Sequence, residues 1–148
     1  MTADSALKLD AQLCFALYAA SNAMTRLYRD KLEPLGLTYP QYLVLLVLWE
    51  QDDLTVSQLG ERLYLDSGTL TPMLKRMEQA GHLSRRRDPA DERQVRVLLT
   101  AAGQALKAEV ATMHAGLACL LPLSLPDITR LRTELRGFAA ALHNLPTD

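Results

Sequence analysis

The segment from residue 54 to residue 99 most constrains the fold, because the spacing of its apolar residues changes from helical to strand-like. Its first part predicts two short helices: Thr55 is an N-cap candidate with Gln58 three residues later, and Gly81 is a stop signal for the second helix. Apolar residues then alternate over residues 95–99, after a turn rich in Asp, Pro and Glu. Helix, turn, helix and charged hairpin are typical of a winged helix-turn-helix, so we expect this chain to bind DNA.

Charge supports this expectation only where it is counted locally. The chain of 148 residues has 16 Lys and Arg against 17 Asp and Glu, a formal net charge of −1. Residues 71–96 nevertheless contain seven basic and four acidic side chains. A basic element on a mildly acidic body suits contact with DNA phosphates. The alternative is a solvated helix face followed by a hairpin of ordinary surface charge, which the helix-turn-helix pattern makes less favourable.

Length and composition limit the class of protein. A chain of 148 residues is long enough for one domain with a sizeable core. No run of 18 apolar residues is present, so no membrane span is expected, and the apolar run 42–49 predicts a buried helix. The N-terminus lacks a secretory pattern, and two cysteines without such a signal fit a reducing cytoplasm.

We predict a mainly α-helical chain with six helices and one hairpin, organised as a single domain over residues 1–148. Helices are expected at about 10–33, 38–51, 55–63, 66–80, 100–121 and 124–144, and the winged helix-turn-helix occupies 38–99. The flanking regions 10–36 and 100–144 are rich in alanine and leucine, more than one such domain needs for its own core. We therefore expect them to form a C2 homodimer, whose two recognition helices would read an inverted repeat in double-stranded operator DNA.

A cysteine near the start of the first predicted helix is a candidate reactive thiol. Cys14 follows Asp10, an N-cap candidate, and peptide N–H groups at a helix N-terminus stabilise a thiolate. Tyr18 and Tyr28 lie on the same helix face as Cys14. Fourteen residues of helix rise about 21 Å, so Tyr28 can meet Cys14 only from an antiparallel second copy. From spacing alone, an inert small cysteine and core tyrosines remain the alternative.

Four motifs resemble a known family of regulators. They are QLCFALY at 12–18, LTYPQY at 37–42, YLDSGTLTPMLKRM at 64–77 and the wing motif DERQVRVLLT at 91–100. Together they resemble the MarR family of winged-helix regulators, and within it the organic hydroperoxide resistance regulators (OhrR). The resemblance covers nearly the whole chain. It implies a homodimeric repressor that organic hydroperoxides release from DNA.

The resemblance also implies roles for the cysteines and tyrosines. Cys14 corresponds to the peroxide-sensing thiol, and Tyr28 and Tyr39 correspond to the tyrosines that orient it, with Tyr18 on the same helix face. Cys119 resembles the second cysteine of the two-cysteine type, which condenses with the sulfenic acid to a disulfide. A MarR regulator released by a small aromatic ligand, without thiol chemistry, is the alternative. A thiol peroxidase is less favoured, because the chain shows no parallel-sheet pattern.

The expected DNA contacts lie on the second helix of the motif and on the hairpin. Hydroxyl side chains at the start of the helix can reach base edges, and basic side chains further along can reach phosphates. The arginine at the hairpin tip resembles the family's wing arginine, which enters the minor groove. The residues are Ser67, Thr69, Thr71, Lys75, Arg76, Arg86, Asp91 and Arg93, with Arg85 and Arg87 beside the wing. Ser67 as a helix cap only, and Arg93 as a partner of Asp91 only, remain open. The histidines lack metal-ligand spacing, so we predict no metal and no cofactor.

Overall fold

The computed structural model describes residues 3–146, which form two compact units. The first unit ends at His114 and the second begins at Ala115. The helices are α1 (Ala3–Ala6), α2 (Leu13–Leu32), α3 (Tyr39–Glu50), α4 (Val56–Leu63), α5 (Ser67–Gln79), α6 (Ala101–Ala118) and α7 (Leu125–His143). The strands are β1 (Leu54–Thr55), β2 (Leu83–Arg87) and β3 (Val95–Leu99). The predicted mainly helical winged helix-turn-helix is confirmed, and the single domain over residues 1–148 stays a prediction.

The wing is part of a three-stranded antiparallel sheet with the strand order β1-β3-β2. Val97, in the middle of β3, lies opposite Leu54 of β1 and Arg85 of β2. The sequence predicts the β2–β3 hairpin but not β1, because two residues are too few to show an alternating pattern. The short strand pairs the wing with the segment that leads into α4.

Side-chain caps set the starts of the helices in the winged helix-turn-helix. Thr55 caps α4, and its hydroxyl oxygen accepts from the N–H of Gln58 at 3.1 Å while the Gln58 side chain accepts from the Thr55 N–H at 2.9 Å. Thr38 makes the same reciprocal pair at the start of α3. Gly81 follows α5 with φ of +84°, a left-handed conformation that glycine adopts without steric cost. The predicted starts at residues 38 and 55 and the stop at residue 81 are confirmed.

The first long helix begins later than predicted. Asp10 lies in a separate 3-10 turn, Leu9–Ala11, and α2 begins at Leu13 with Gln12 in the N-cap position. The Gln12 side chain does not cap the helix, since its amide donates to the carbonyls of Ala6 and Lys8. The extended backbone of Gln12 therefore separates the turn from the helix, and the N-cap expected at Asp10 is wrong.

The core of the first unit is built around α3. Five of its side chains are buried, in agreement with the buried helix expected at 42–49: Tyr42, Val44, Leu45, Val47 and Leu48. Leucines and methionines of α4 and α5 and the apolar side of the sheet complete this core. Within residues 3–146, no helix has both the length and the apolar character that crossing a membrane requires.

Large apolar side chains at both ends of the chain remain exposed. Near the start of α2, Leu13 and Tyr18 are 62% and 64% exposed. In the second unit the same is true of Leu125, Leu131, Leu135, Phe138 and Leu142. Exposed apolar groups in this number are typical of a surface that another protein chain covers.

Candidate functional site

The start of α5 presents short polar side chains on the surface. Asp66 caps the helix, and its carboxylate accepts from the N–H of Thr69 at 2.7 Å. Ser67 is therefore the first helical residue and not the cap, which resolves one of the alternatives left open by the sequence. Ser67 and Thr69 are exposed, and Thr71 is half-buried.

Packing against α4 fixes which face of α5 is exposed. Leu70, Met73, Leu74 and Met77 are buried in the core, whereas Lys75 and Arg76 are exposed. Gly60 of α4 allows the tight turn between the helices, since a Cβ at that position would lie 2.5 Å from the carbonyl oxygen of Leu65.

The tip of the wing carries an exposed arginine that its neighbour holds in place. Asp91 accepts from the backbone N–H of Arg93 at 3.1 Å and from its Nε at 3.0 Å. The side-chain hydrogen bond from Arg93 is the main reason that the pKa of Asp91 lies below its usual value, and the backbone hydrogen bond adds to the effect. The Arg93 side chain is 91% exposed. The pair expected from the sequence is present, and it leaves the guanidinium in solvent at the hairpin tip.

Two arginines opposite each other in the wing share one carboxylate. Arg86 and Arg96 are cross-strand partners, and Asp53 binds Arg96 at 2.7 Å and Arg86 at 3.2 Å. Arg96 also binds Asp88 at 3.1 Å. The hydrogen bond from Arg96 is the main reason that the pKa of Asp53 lies below its usual value. This network ties the wing to the turn before β1.

Sequence reasoning missed Asp53, although a signal for it exists. Arg86 and Arg96 lie directly opposite each other in the hairpin register, and like charges in that position destabilise a sheet unless a counter-charge is present. Asp53 has a φ of 57°, a left-handed conformation that Asp tolerates better than most residues. Arg86 is still 54% exposed, so it can hold Asp53 and face solvent together.

The neighbouring arginines of β2 also have partners within the chain. The carboxylate of Glu78, at the end of α5, accepts from the backbone N–H of Arg85 at 2.7 Å and from its guanidinium at 3.2 Å. The backbone hydrogen bond is the largest cause that keeps the pKa of Glu78 low. Arg87 donates to the carbonyl of Glu92 at 2.9 Å. Arg85 therefore joins the wing to α5, the predicted recognition helix, and the expected phosphate contacts of these arginines stay predictions.

Cys14 is the second residue of α2, and its thiol is exposed. The peptide N–H groups of a helix's first turn have no partners within the helix, and here the side chain of Gln12 is engaged elsewhere. The thiol thus lies at an end of a 20-residue helix that the N-cap side chain leaves uncapped.

Three tyrosines form a cluster near the other end of α2. The ring centroids of Tyr28 and Tyr39 lie 5.2 Å apart, and Tyr42 lies 5.5 Å from Tyr28 and 5.8 Å from Tyr39. Burial raises the pKa of both Tyr39 and Tyr42, and the neighbouring Tyr28 adds to this effect. The rings of Tyr28 and Tyr39 are therefore in contact, as expected. Tyr42 is a third member of this tyrosine cluster, which sequence reasoning missed.

Within one chain the cluster cannot reach Cys14. Both Cys14 and Tyr28 belong to the continuous helix α2, so they are separated by about 21 Å along its axis. Tyr18, one turn after Cys14, is 64% exposed. An open groove of about 560 Å³ borders Tyr39 and is also lined by Thr25 and Arg29 of α2.

Cys119 directly follows the last residue of α6 and belongs to the second unit. Its thiol is free and exposed. Helix α6 ends at Ala118, three residues earlier than the predicted end. Among residues 3–146, no three His, Cys, Asp or Glu side chains are grouped as metal ligands would be.

Comparison with known proteins places these features in one family. Residues 37–95 match the MarR family. The chain is 49% identical over 137 residues to the organic hydroperoxide resistance transcriptional regulator of Bacillus subtilis (strain 168), and the match covers 93% of each protein.

Two solved structures of AbfR, a protein of Staphylococcus epidermidis, are similar in fold. Reduced AbfR bound to DNA has a TM-score of 0.77 and 38% identity, and the match covers 93% of this chain and 96% of AbfR. The disulfide form of AbfR has a TM-score of 0.65 at the same 38% identity, with 92% and 96% covered.

Proposed function

This chain is a transcriptional regulator of the MarR family, and we propose that it is a cytoplasmic repressor that organic hydroperoxides switch off by oxidising Cys14. The observation that carries the proposal is the exposed Cys14 thiol in the first turn of α2, in a chain that is 49% identical to an organic hydroperoxide resistance regulator. The reduced and disulfide states solved for AbfR support redox control in a protein of similar fold.

The working form is a homodimer that binds an inverted repeat in double-stranded operator DNA. The exposed apolar side chains of α2 and α7 support an interface between two copies. Tyr28 lies about 21 Å along the helix from Cys14 of its own chain, so a tyrosine contact with the thiol requires the second copy. The sensing site is therefore shared, with Cys14 from one subunit and Tyr28 and Tyr39 from its partner.

The reaction begins with the thiolate of Cys14. Its sulfur attacks the terminal oxygen of the hydroperoxide, the S–O bond forms as the O–O bond breaks, and the alkoxide takes a proton to leave as an alcohol. Sulfur is oxidised to sulfenic acid, and the hydroperoxide is reduced. Tyrosine hydroxyls stabilise the thiolate and the departing oxygen by hydrogen bonding. Apolar side chains around the site favour peroxides with alkyl groups.

The second step joins the two cysteines. The Cys119 thiol attacks the sulfenic sulfur of Cys14, a disulfide forms, and water leaves with the hydroxyl oxygen. A small thiol or thioredoxin-type reductant reverses the step. Because two cysteines must approach one another, the helices that carry them are displaced, and the spacing of the two recognition helices no longer fits the operator.

The DNA contacts follow from the exposed groups of α5 and the wing. Ser67, Thr69 and Thr71 read base edges, and Lys75 and Arg76 contact phosphates. Arg93, which Asp91 orients at the wing tip, enters the minor groove, and Arg86 contacts the backbone beside it.

The direct test is fluorescence anisotropy of labelled upstream DNA with reduced protein, before and after stoichiometric cumene hydroperoxide. We expect loss of binding on oxidation, recovery with dithiothreitol, and no response in Cys14→Ser. The groove beside Tyr39 makes release by a small aromatic ligand the second candidate. In that case Cys14→Ser would still respond to the ligand, and peroxide would leave binding by the wild-type protein intact.

A mixing experiment tests the shared site. In a heterodimer of Cys14→Ser and Tyr28→Phe subunits, the one remaining Cys14 faces the one remaining Tyr28 only if the site lies between subunits. We expect that thiol to react with peroxide at the wild-type rate, whereas the Tyr28→Phe homodimer reacts slowly. Equal slow rates in both would contradict a shared site.

A further inference from the structure

We propose that Tyr42 is a positioning residue for peroxide reduction, whose hydroxyl donates a hydrogen bond to Tyr28 and so makes Tyr28 a better proton donor to the departing alkoxide. This inference rests on the proposed chemistry at Cys14. The juxtaposition that carries it is the Tyr28–Tyr42 ring contact, with centroids 5.5 Å apart, within the cluster of three tyrosines.

Tyr42 is the most buried of the three tyrosines and lies in the first turns of α3. The capping pair of Thr38 and Gln41 sets the start of α3, and the N–H of Tyr42 bonds to the carbonyl of Thr38 at 3.0 Å. Tyr39 and Tyr42 are three residues apart and therefore lie on one face of the helix. Tyr42 is only 4% exposed and belongs to the core, whereas Tyr28 and Tyr39 are half-buried at its edge.

Burial makes the Tyr42 hydroxyl a donor. A hydroxyl in an apolar core costs free energy unless it forms a hydrogen bond, and phenylalanine would fill the same space without that cost. Burial first, then the proximity of Tyr28 and a hydrogen bond with it, raise the pKa of Tyr42 above its usual value. Tyr28 is the nearer of the two tyrosine rings that contact Tyr42, at 5.5 Å against 5.8 Å for Tyr39, so its hydroxyl oxygen is the acceptor that the proposal assigns.

This bond polarises the Tyr28 hydroxyl. In a chain of hydrogen bonds, a hydroxyl that accepts one bond donates a stronger one. Tyr28 thus offers its proton at the alkoxide oxygen that leaves when Cys14 of the partner subunit attacks the peroxide. The proton goes to the alcohol product, and solvent returns it to Tyr28 after the alcohol departs. Tyr42 keeps its own proton throughout and acts only through Tyr28.

The experiment compares two oxidants that differ in their need for a proton. The leaving group of tert-butyl hydroperoxide is a strongly basic alkoxide. The leaving group of peracetic acid is acetate, which needs no proton donor. In a Cys119→Ser background, we expect Tyr42→Phe to slow loss of the Cys14 thiol about tenfold with tert-butyl hydroperoxide. With peracetic acid, we expect the rate to stay within about twofold of the parent.

Two controls separate positioning from packing. Tyr64→Phe, at an exposed tyrosine outside the cluster, should leave both rates unchanged. In a Tyr28→Phe background, Tyr42→Phe should have no further effect, because the hydroxyl that it acts through is gone. Reduced protein should bind operator DNA equally well with and without the Tyr42 hydroxyl.

The outcomes are distinct. Equal slowing with both oxidants, or slowing that persists without the Tyr28 hydroxyl, would show a packing defect and overturn the inference. An unchanged rate with tert-butyl hydroperoxide would overturn it as well. If the parent protein itself failed to react with that peroxide, the proposed function would fail, and the role of Tyr42 with it.

Discussion

Replacing Gly103 with alanine tests how tightly α6 is joined to the DNA-binding region. Gly103 is the third residue of α6, is buried, and packs against the backbone of His82 just after the recognition helix. A Cβ at this position would lie 2.9 Å from the carbonyl carbon of His82 and closer still to its oxygen, and 3.2 Å from Cδ2 of Leu99. Backbone atoms cannot rotate away, so α6 must shift.

The shift would disturb the hydrogen bonds that hold this junction. The N–H of Thr100 donates to the carbonyl of His82 at 3.1 Å, and the indole of Trp49 donates to the carbonyl of Gly103 at 3.1 Å. Loss of two such bonds costs about 1–3 kcal/mol. Residual overlap adds about 1 kcal/mol or more, and alanine returns up to about 1 kcal/mol of helix propensity. We expect Gly103→Ala to lower the free energy of unfolding by about 1–4 kcal/mol.

The assay is urea unfolding followed by circular dichroism at one fixed protein concentration, because dimer stability depends on concentration. Trp49 is the one tryptophan in the sequence, so its fluorescence reports the junction directly. Gly116→Ala is the matched control: it lies in the same helix, where an added Cβ meets no atom of the described chain within 4 Å. The control should gain stability or stay unchanged. Gly103→Ala as stable as wild type, with unaltered Trp49 emission, would refute the reasoning.

Two further substitutions test the wing. Arg93→Ala should weaken operator binding and reduce the slope of log affinity against log salt by about one, without lowering Tm. Arg130→Ala in α7 is the control and should leave that slope unchanged. Equal slopes for the two variants would contradict the expected contact of Arg93 with DNA. Asp53→Asn should lower Tm at pH 7, because the pKa of Asp53 is depressed, chiefly by the hydrogen bond from Arg96, and the charged form therefore stabilises the fold. That stabilisation is lost as pH falls through the folded-state pKa, so the Tm difference from wild type should shrink below about pH 4, and a constant difference would argue against this ion pair.

The helices and hairpin of the winged helix-turn-helix could be predicted from the sequence because their signals are local. The caps at Thr38 and Thr55 and the stop at Gly81 each depend on residues within four positions of one another. The same is true of the buried run in α3. What could not be predicted depends on contacts between distant segments, such as the two-residue strand β1 and the ion pair between Asp53 and Arg96, which are 43 residues apart.

The predicted start of α2 was wrong for a different reason. Asp10 is a good cap candidate by residue type, but Asp10 lies in a 3-10 turn and the extended backbone of Gln12 interrupts the helix. The consequence favours the proposed chemistry, because Cys14 moves from the second helical turn to the first. There the peptide N–H groups are not used within the helix. Tyr42 was missed because a tyrosine among leucines and valines has the pattern of an ordinary core residue.

In the proposed mechanism, the junction at Gly103 couples a change in α6 to the wing and to α5. Strand β3 ends at Leu99 and α6 begins at Ala101, so Thr100 alone separates the wing from the helix. The Thr100 hydroxyl accepts from the N–H of Gly103 and donates to the carbonyl of Gly81, at the end of the recognition helix. Thr100 thus connects the wing, the first turn of α6 and the end of α5. Because the contact between Gly103 and the His82 backbone leaves no free space, we expect a rotation of the first turn of α6 to move α5 and the wing with it.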